Sequence, residues 1–331
     1  MVQHTFPNKL RINSTDDFPL RSPCARSGIS LIEVLVVIGV IALLVGLLAP
    51  AVASVREAGR RMQCQSNLRQ IGIGLNSYET TFGVYPDGIF WSFTLLPHIG
   101  FEPVYLKYNL PSGTLPVTPS LDSVRIPLYS CPSDPAVGVV ANSYMGCYGS
   151  GIIEHGFNGV FNHWANKSPQ YYPQQPIGSR DVTDGTSNTA AIAEILHSDN
   201  SEHRLRVRWQ LPRSFNPPNE LDALADFCEG IPENATSLGW RGSTMGRGTP
   251  WWFGNFGEGL YNHVLPPNRP SCNNGTNLPG GAHSAGSFHG AGANVLYADG
   301  HVQFESASID RRVWREIGSR VDRVIGPDFP N

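Results

Sequence analysis

A single carboxylate interrupts the apolar run Ile29–Ala49, close to its start, at Glu33. The run is long enough to cross a bilayer as a helix at about 1.5 Å per residue. A charge inside such a segment costs about 2.5–3.5 kcal/mol on insertion scales, so Glu33 demands a partner or a function. Lys9, Arg11, Arg21 and Arg26 precede the run, against Asp16 and Asp17. This positive flank favours a cytoplasmic N-terminus and an extracytoplasmic remainder.

Plainer readings explain less. A secretory signal ending at Ala51-Val52-Ala53 satisfies the small-residue rule, yet the run exceeds the usual apolar core of about 7–15 residues. An uncut signal anchor needs no charge. A Glu33 that snorkels to the headgroups would be merely tolerated. Cys24 precedes the run and is misplaced for a lipid-anchored cysteine.

Gly28-Ile29-Ser30-Leu31-Ile32-Glu33 resembles the N-terminal signature of type IV prepilins and type II secretion pseudopilins. The resemblance implies cleavage after Gly28 by a prepilin peptidase, methylation of the new Ile29 amine, and Glu33 as the fifth mature residue. Pro50 matches a proline common in pilin helices, whereas Ile29 departs from the commoner phenylalanine. The physics agrees. A glycine before the cut lets extended backbone enter a peptidase without a side-chain clash. A carboxylate four positions beyond a free amine can pair with the amine of a neighbouring subunit, which offsets its burial. The expected partners are the peptidase, the inner membrane, and further copies or other pilin-like subunits.

Past Pro50, Val55, Ala58, Met62, Leu68, Ile71, Leu75, Tyr78 and Phe82 recur at helical spacing, with Glu57–Arg61 as an i,i+4 pair on another face. The pattern predicts one helix from Ile29 to Phe82, ended by Gly83, with Pro50 as a kink at most. The expected domains are a leader over 1–28 and a helix over 29–84, transmembrane over about 29–49 and amphipathic over 50–84. A β-rich extracytoplasmic head follows over 85–331.

Within the head, Ile89–His98 and Pro127–Pro135 read as strand and turn, Thr189–Leu196 as a strand, and about 199–282 as a loop-rich insertion. Asn294–Ala298 and His301–Phe304 flank Asp299-Gly300, a type I′ hairpin signal. A short helix should follow, capped by Ser308, with Ile309, Val313, Trp314 and Ile317 inward and Gly318 at its end.

Without the leader the chain carries 20 basic and 25 acidic residues and no basic tract, which excludes a nucleic-acid partner. Five of its six cysteines lie beyond the leader, in a compartment where disulfides persist. Cys64 with Cys131 and Cys228 with Cys272 are the favoured pairs, and no spacing suits a zinc knuckle.

Further stretches resemble a large bacterial family of prepilin-like proteins of unknown function. These are Arg56–Cys64, Cys131-Pro132-Ser133-Asp134, Thr183–Thr189, and the C-terminal signature His289, nine residues, Asp299-Gly300. The resemblance implies an α+β, pilin-like fold: a long N-terminal helix packed on an antiparallel sheet with loop-rich insertions. It brings no activity.

His283, His289 and His301 near Asp299 invite a metal, but Asp299-Gly300 already serves as a turn, and a structural role is favoured. Asp184-Gly185-Thr186-Ser187-Asn188 offers oxygen ligands, and several pseudopilins bind calcium. Its spacing is not that of an EF-hand, and an Asx-turn is favoured. No resident cofactor is expected. Ser150 and Ser287 lack the nucleophile-elbow frame, so no enzyme is expected. Trp251-Trp252-Phe253, Phe256 and Tyr261 form an aromatic group that either supports loops or stacks on a ligand. The leading expectation is a processed, membrane-anchored prepilin-like subunit of a pilus or secretion pseudopilus. The alternative is a membrane-tethered module that recognises polysaccharide or protein.

Overall fold

The structure is a computed structural model that describes residues 28, 30–108, 121–135, 141–152, 158–162, 176–198, 203–216, 219–235, 246–275 and 280–321. The expected leader, Cys24 and Ile29 lie outside the described residues. The chain forms two compact units, Met1–Ala53 and Ser54–Asn331, and helix α1 (Leu31–Phe82) contributes to both.

In the first unit, α1 begins with a capping box. Ser30 Oγ accepts from the Ile32 amide (3.2 Å), and Glu33 Oε2 accepts from the Ser30 amide (2.8 Å). The large apolar side chains from Leu31 to Leu48 are exposed. Among the described residues this is the one helix long and apolar enough to cross a membrane, as a membrane anchor or a signal sequence is. Helix continues through Pro50, as the periodicity predicts.

In the second unit a five-stranded sheet carries the core. Its strands are β1 (Tyr144–Cys147), β2 (Ala190–Glu194), β4 (Leu260–Tyr261), β7 (Gly292–Tyr297) and β8 (Val302–Ser306), in the order β4-β1-β2-β7-β8. The sheet is mixed rather than purely antiparallel, because β4 pairs parallel to β1. Alternation sorts the side chains of β2 and β7. Ile192 and Leu296 face Leu68, Ile71 and Leu75 of α1, whereas Ala193, Val295 and Tyr297 join Trp314 of α5 (Arg311–Gly318). With both faces covered, the central strands are mostly apolar, interrupted by Asn294 in β7 and Glu194 at the end of β2.

The segment 199–282 holds more than loops. Strands β3 (Arg208–Gln210), β5 (Ser271–Asn273) and β6 (Gly281–Ala282) form a second sheet, and helix α4 (Leu221–Glu229) packs in the same core cluster. Cys228–Cys272 ties α4 to β5, as expected.

Several local expectations change. Ile89–His98 is not a strand: it contains helix α2 (Trp91–Thr94) and leads into a 3-10 turn, followed by helix α3 (Glu102–Lys107). Pro127–Tyr129 is also a 3-10 turn, since Pro127 at its first position is preset for helical φ. The β7–β8 connection is not a two-residue type I′ turn. The Gly300 amide bonds to Tyr297 O (2.9 Å), and of the two turn residues Gly300 alone has positive φ, at 96°. That is a three-residue loop closed by a left-handed glycine. Asp310, not Ser308, caps α5 by accepting from the Arg312 and Val313 amides. Trp314 is buried as expected, while Val313 is exposed and Arg315 lies inward. Val55, Met62 and Phe82 are exposed, so the deep contact of α1 runs from Cys64 to Leu75.

Candidate functional site

The sequence stretches that resemble one family converge at two places along α1. At the first, the Cys64–Cys131 disulfide forms (Cα–Cα 5.1 Å), closing a separation of 67 residues. A cross-link of that span removes about 4 kcal/mol of unfolded-chain entropy in the loop-closure model. It joins α1 to the loop after Pro127–Tyr129. His289 lies against it, with Nε2 3.4 Å from Cys131 Sγ and Nδ1 3.0 Å from Glu57 Oε1. Ser133 Oγ donates to the same Glu57 oxygen (3.0 Å). Glu194, at the end of β2, places Oε1 3.6 Å from His289 Nε2. Its Oε2 accepts from the Asn294 amide (2.9 Å) and Asn294 Nδ2 (3.0 Å).

The imidazole is enclosed, with its side chain 0% exposed, and Glu194 is equally dry. Burial alone would lower the His289 pKa, but bonds and charge from Glu194, then Glu57, raise it above the ordinary value. Burial likewise raises Glu57, and its bonds to Arg60, His289 and Ser133 outweigh this and hold the carboxyl below its usual range. His289 thus lies between the carboxyl groups of Glu57 and Glu194, beside a disulfide. The loop that presents it is set by Asn268, in the left-handed region at φ 59°. Asn268 Nδ2 donates to Gly290 O and Gly292 O, and its Oδ1 accepts from the Ser287 amide.

At the second place, Asp299-Gly300 meets the far part of the helix. Asp299 O accepts from Asn76 Nδ2 (3.0 Å), and the Asp299 amide donates to Thr186 O (3.1 Å). A Cβ on Gly72 would sit 3.3 Å from Gly300 Cα, so this glycine permits the close approach. Between the two places Gln65 donates to Asn294 (3.0 Å). Helix rises about 28 Å from Glu57 to Asn76, and β7, about 20 Å of strand, runs between His289 and Asp299 with a short loop at each end. His289 and Asp299-Gly300 thus fasten opposite ends of one strand to one helix.

That geometry separates the three histidines expected near Asp299. His301 hydrogen-bonds Asp299 (2.7 Å) and stacks on Tyr297. His283 is fully buried beside Gly257, where burial pushes its pKa well down. Only His289 reaches the disulfide. The Asp184–Asn188 loop behaves as a turn: Asn188 Nδ2 donates to Asp184 O, and Gly185 has φ 91°. Trp251, Trp252, Phe256 and Tyr261 are core residues and present no aromatic surface. Glu57 pairs with Arg60 rather than Arg61, whose guanidinium lies over Phe304.

Glu57, Ser133, Glu194, Asn268 and Asn294 were not anticipated as site residues. Glu194 was legible by the logic applied to Glu33, since Ala190-Ala191-Ile192-Ala193-Glu194-Ile195-Leu196 also embeds one carboxylate in an apolar run. Ser30 and Glu33 likewise spell the capping-box spacing. Cys64, Cys131, Glu194 and His289 each offer one ligand-type atom, all within 4.8 Å of one another. Cys131 also lines a cavity of about 420 Å³, together with Gln63, Asn67, Gln70, Arg125 and Ser130.

No curated protein matches the chain. No solved structure matches it either. Residues 53–312 match the family described as protein of unknown function (DUF1559), and over that span, most of its length, the chain belongs to this family.

Proposed function

We propose that this protein is a prepilin-like subunit, anchored in the cytoplasmic membrane with its DUF1559 head outside. The leader is removed after Gly28 by a prepilin peptidase, Ile29 becomes a methylated N-terminus, and assembly proceeds into a pilus or type II secretion pseudopilus. The observation that carries the reading is α1 itself, whose exposed apolar stretch bears one carboxylate, Glu33. Its role is a structural one, without catalysis. Burial of Trp251 and Trp252 removes the aromatic surface that a sugar- or protein-binding module would use.

Glu33 has a local task as well, because its carboxylate caps the helix through the Ser30 amide. Glutamine keeps a capping box but carries no charge. Glu33→Gln therefore separates the two tasks. If Glu33 pairs with a neighbouring amine, Glu33→Gln inserts normally yet enters cross-linkable multimers at least about tenfold less well, the equivalent of about 1.4 kcal/mol. Wild-type multimer yields with Glu33→Gln, and loss only with Glu33→Ala, would reduce Glu33 to a cap. N-terminal sequencing of membrane-extracted protein tests processing directly. A start at Ile29 supports it, and a start after Ala53 overturns it because the anchor would be gone.

A further inference from the structure

We propose that the Cys64–Cys131 locus has a second state, in which the reduced cysteines hold a zinc ion with His289 Nε2 and Glu194 Oε1. This inference does not depend on pilus assembly. Three observations carry it.

The first is geometric. A tetrahedral zinc with Zn–S about 2.3 Å and Zn–N or Zn–O about 2.0–2.1 Å sets neighbouring ligands about 3.3–3.8 Å apart. His289 Nε2 already stands 3.4 Å from Cys131 Sγ and 3.6 Å from Glu194 Oε1. All four ligand atoms fall within 4.8 Å. Once the S–S bond is cut, the sulfurs need only separate to about 3.8 Å to complete the set. Two thiolates, an imidazole and a carboxylate in a tetrahedron suit zinc better than hard cations.

The second observation is the supporting shell. Histidines on metals almost always donate their outer N–H to a carboxylate or carbonyl, and ligating carboxylates are themselves hydrogen-bonded. His289 Nδ1 meets Glu57 Oε1 at 3.0 Å, and Glu194 Oε2 takes two bonds from Asn294. Both supports are already in place with the disulfide closed.

The third is a loosely held oxygen. Glu194 Oε1 is buried with no hydrogen bond at normal length, and His289 Nε2 stands 3.6 Å away. This oxygen is aimed at His289 Nε2 and the two sulfurs, where a cation would sit.

A dithiol reductant, reaching Cys131 through the adjoining cavity, supplies the two electrons that cleave the S–S bond. Its own sulfurs join in a disulfide. The balance is protein disulfide plus dithiol plus Zn²⁺ giving zinc dithiolate, oxidised dithiol and two protons. A third proton leaves from His289 Nε2 when the ring starts as imidazolium. The covalent link between α1 and the Cys131 loop is thereby exchanged for a metal link at the same point.

The test uses full-length protein in detergent, reduced by a phosphine that is then removed, and titrated anaerobically with Zn²⁺ in competition with a chromophoric chelator. Co²⁺ serves as the spectroscopic reporter. Reduced wild type should bind one ion with thiolate-to-cobalt charge transfer, and the oxidised protein should bind none at this locus. Glu57→Gln leaves every cysteine intact and should weaken zinc binding about 10- to 100-fold. Glu194→Gln should weaken it at least as much, and Cys64→Ser/Cys131→Ser should abolish it. Circular dichroism of each variant confirms folding. Binding that is indifferent to Glu57→Gln and Glu194→Gln would place the ion on other thiols, such as Cys228 and Cys272, and overturn the proposal. Equal uptake by oxidised and reduced wild type would do the same.

Discussion

Gly59 and Gly72 both lie in α1, and alanine at the two positions should shift stability in opposite directions. Helix propensity alone favours alanine over glycine by about 1 kcal/mol at either site. Around Gly59 an added Cβ meets nothing within 4 Å, so Gly59→Ala should stabilise by up to about 1 kcal/mol. At Gly72 the same atom would lie 2.7 Å from Leu296 Cδ1 and 3.3 Å from both Cα and O of Gly300. Leu296 is 0% exposed, and its strand is held between Ile192 and Val302 in the ladder. Neither the backbone of β7 nor the Gly300 turn can retreat without breaking sheet bonds. Overpacking of this kind costs about 1–3 kcal/mol, which offsets the propensity gain and leaves a net loss of up to about 2 kcal/mol. Urea denaturation of the detergent-solubilised chain, followed by tryptophan fluorescence, reads both midpoints. Leu296→Val shortens the clashing side chain, so a double-mutant cycle with Gly72→Ala should show coupling of about 0.5–3 kcal/mol. A Gly72→Ala protein as stabilised as Gly59→Ala, with no coupling to Leu296, would refute the close-contact argument.

Two further outcomes follow from the same core. Asp310→Ala should cost about 1 kcal/mol by removing the cap of α5, whereas Ser308→Ala should change stability by less than about 0.5 kcal/mol; equal effects of the two would place the cap elsewhere. His263 is fully buried, giving its Nδ1 proton to Trp314 O (2.7 Å) and accepting from Tyr261 Oη (2.8 Å). Burial pushes its pKa down to about 3. Above pH 6.5 the ring is neutral whether the chain is folded or not, and stability is complete. As pH falls, only the unfolded chain takes the proton, so stability declines by about 1.4 kcal/mol per unit toward pH 3. His263→Gln should lose that share of the slope, and an unchanged slope would mean that His263 is not held neutral.

How much was readable in advance varies with the range of the interaction. Helix α1, its Gly83 stop, and strands β2, β7 and β8 followed from local chemistry, through apolar period and a left-handed glycine. Both expected disulfide pairs form, but across separations of 67 and 44 residues their closure is a tertiary event. Sheet order did not follow from local chemistry, because the parallel partner β4 has only two residues, and its pairing with β1 is a tertiary event. The hairpin was foreseen, but not the turn type, which depends on which residue takes positive φ. The aromatic group at Trp251 was ambiguous for a similar reason, since no local pattern distinguishes a buried cluster in an irregular segment from an exposed one.

By itself, the sequence determined the apolar helix with its lone Glu33, the cap written in Ser30 and Glu33, and the cysteines available for cross-linking. Those features are set by neighbours in the chain, through helical period and backbone bonding. Only the tertiary structure decided that buried Cys64, Cys131, Glu194 and His289 would meet, with Glu57 at their solvent edge. Their sequence separations carry no information about proximity until β7 lies along α1. Lying along about 28 Å of helix, β7 and the loops at its two ends then bring His289 to Glu57 and Asp299 to Asn76.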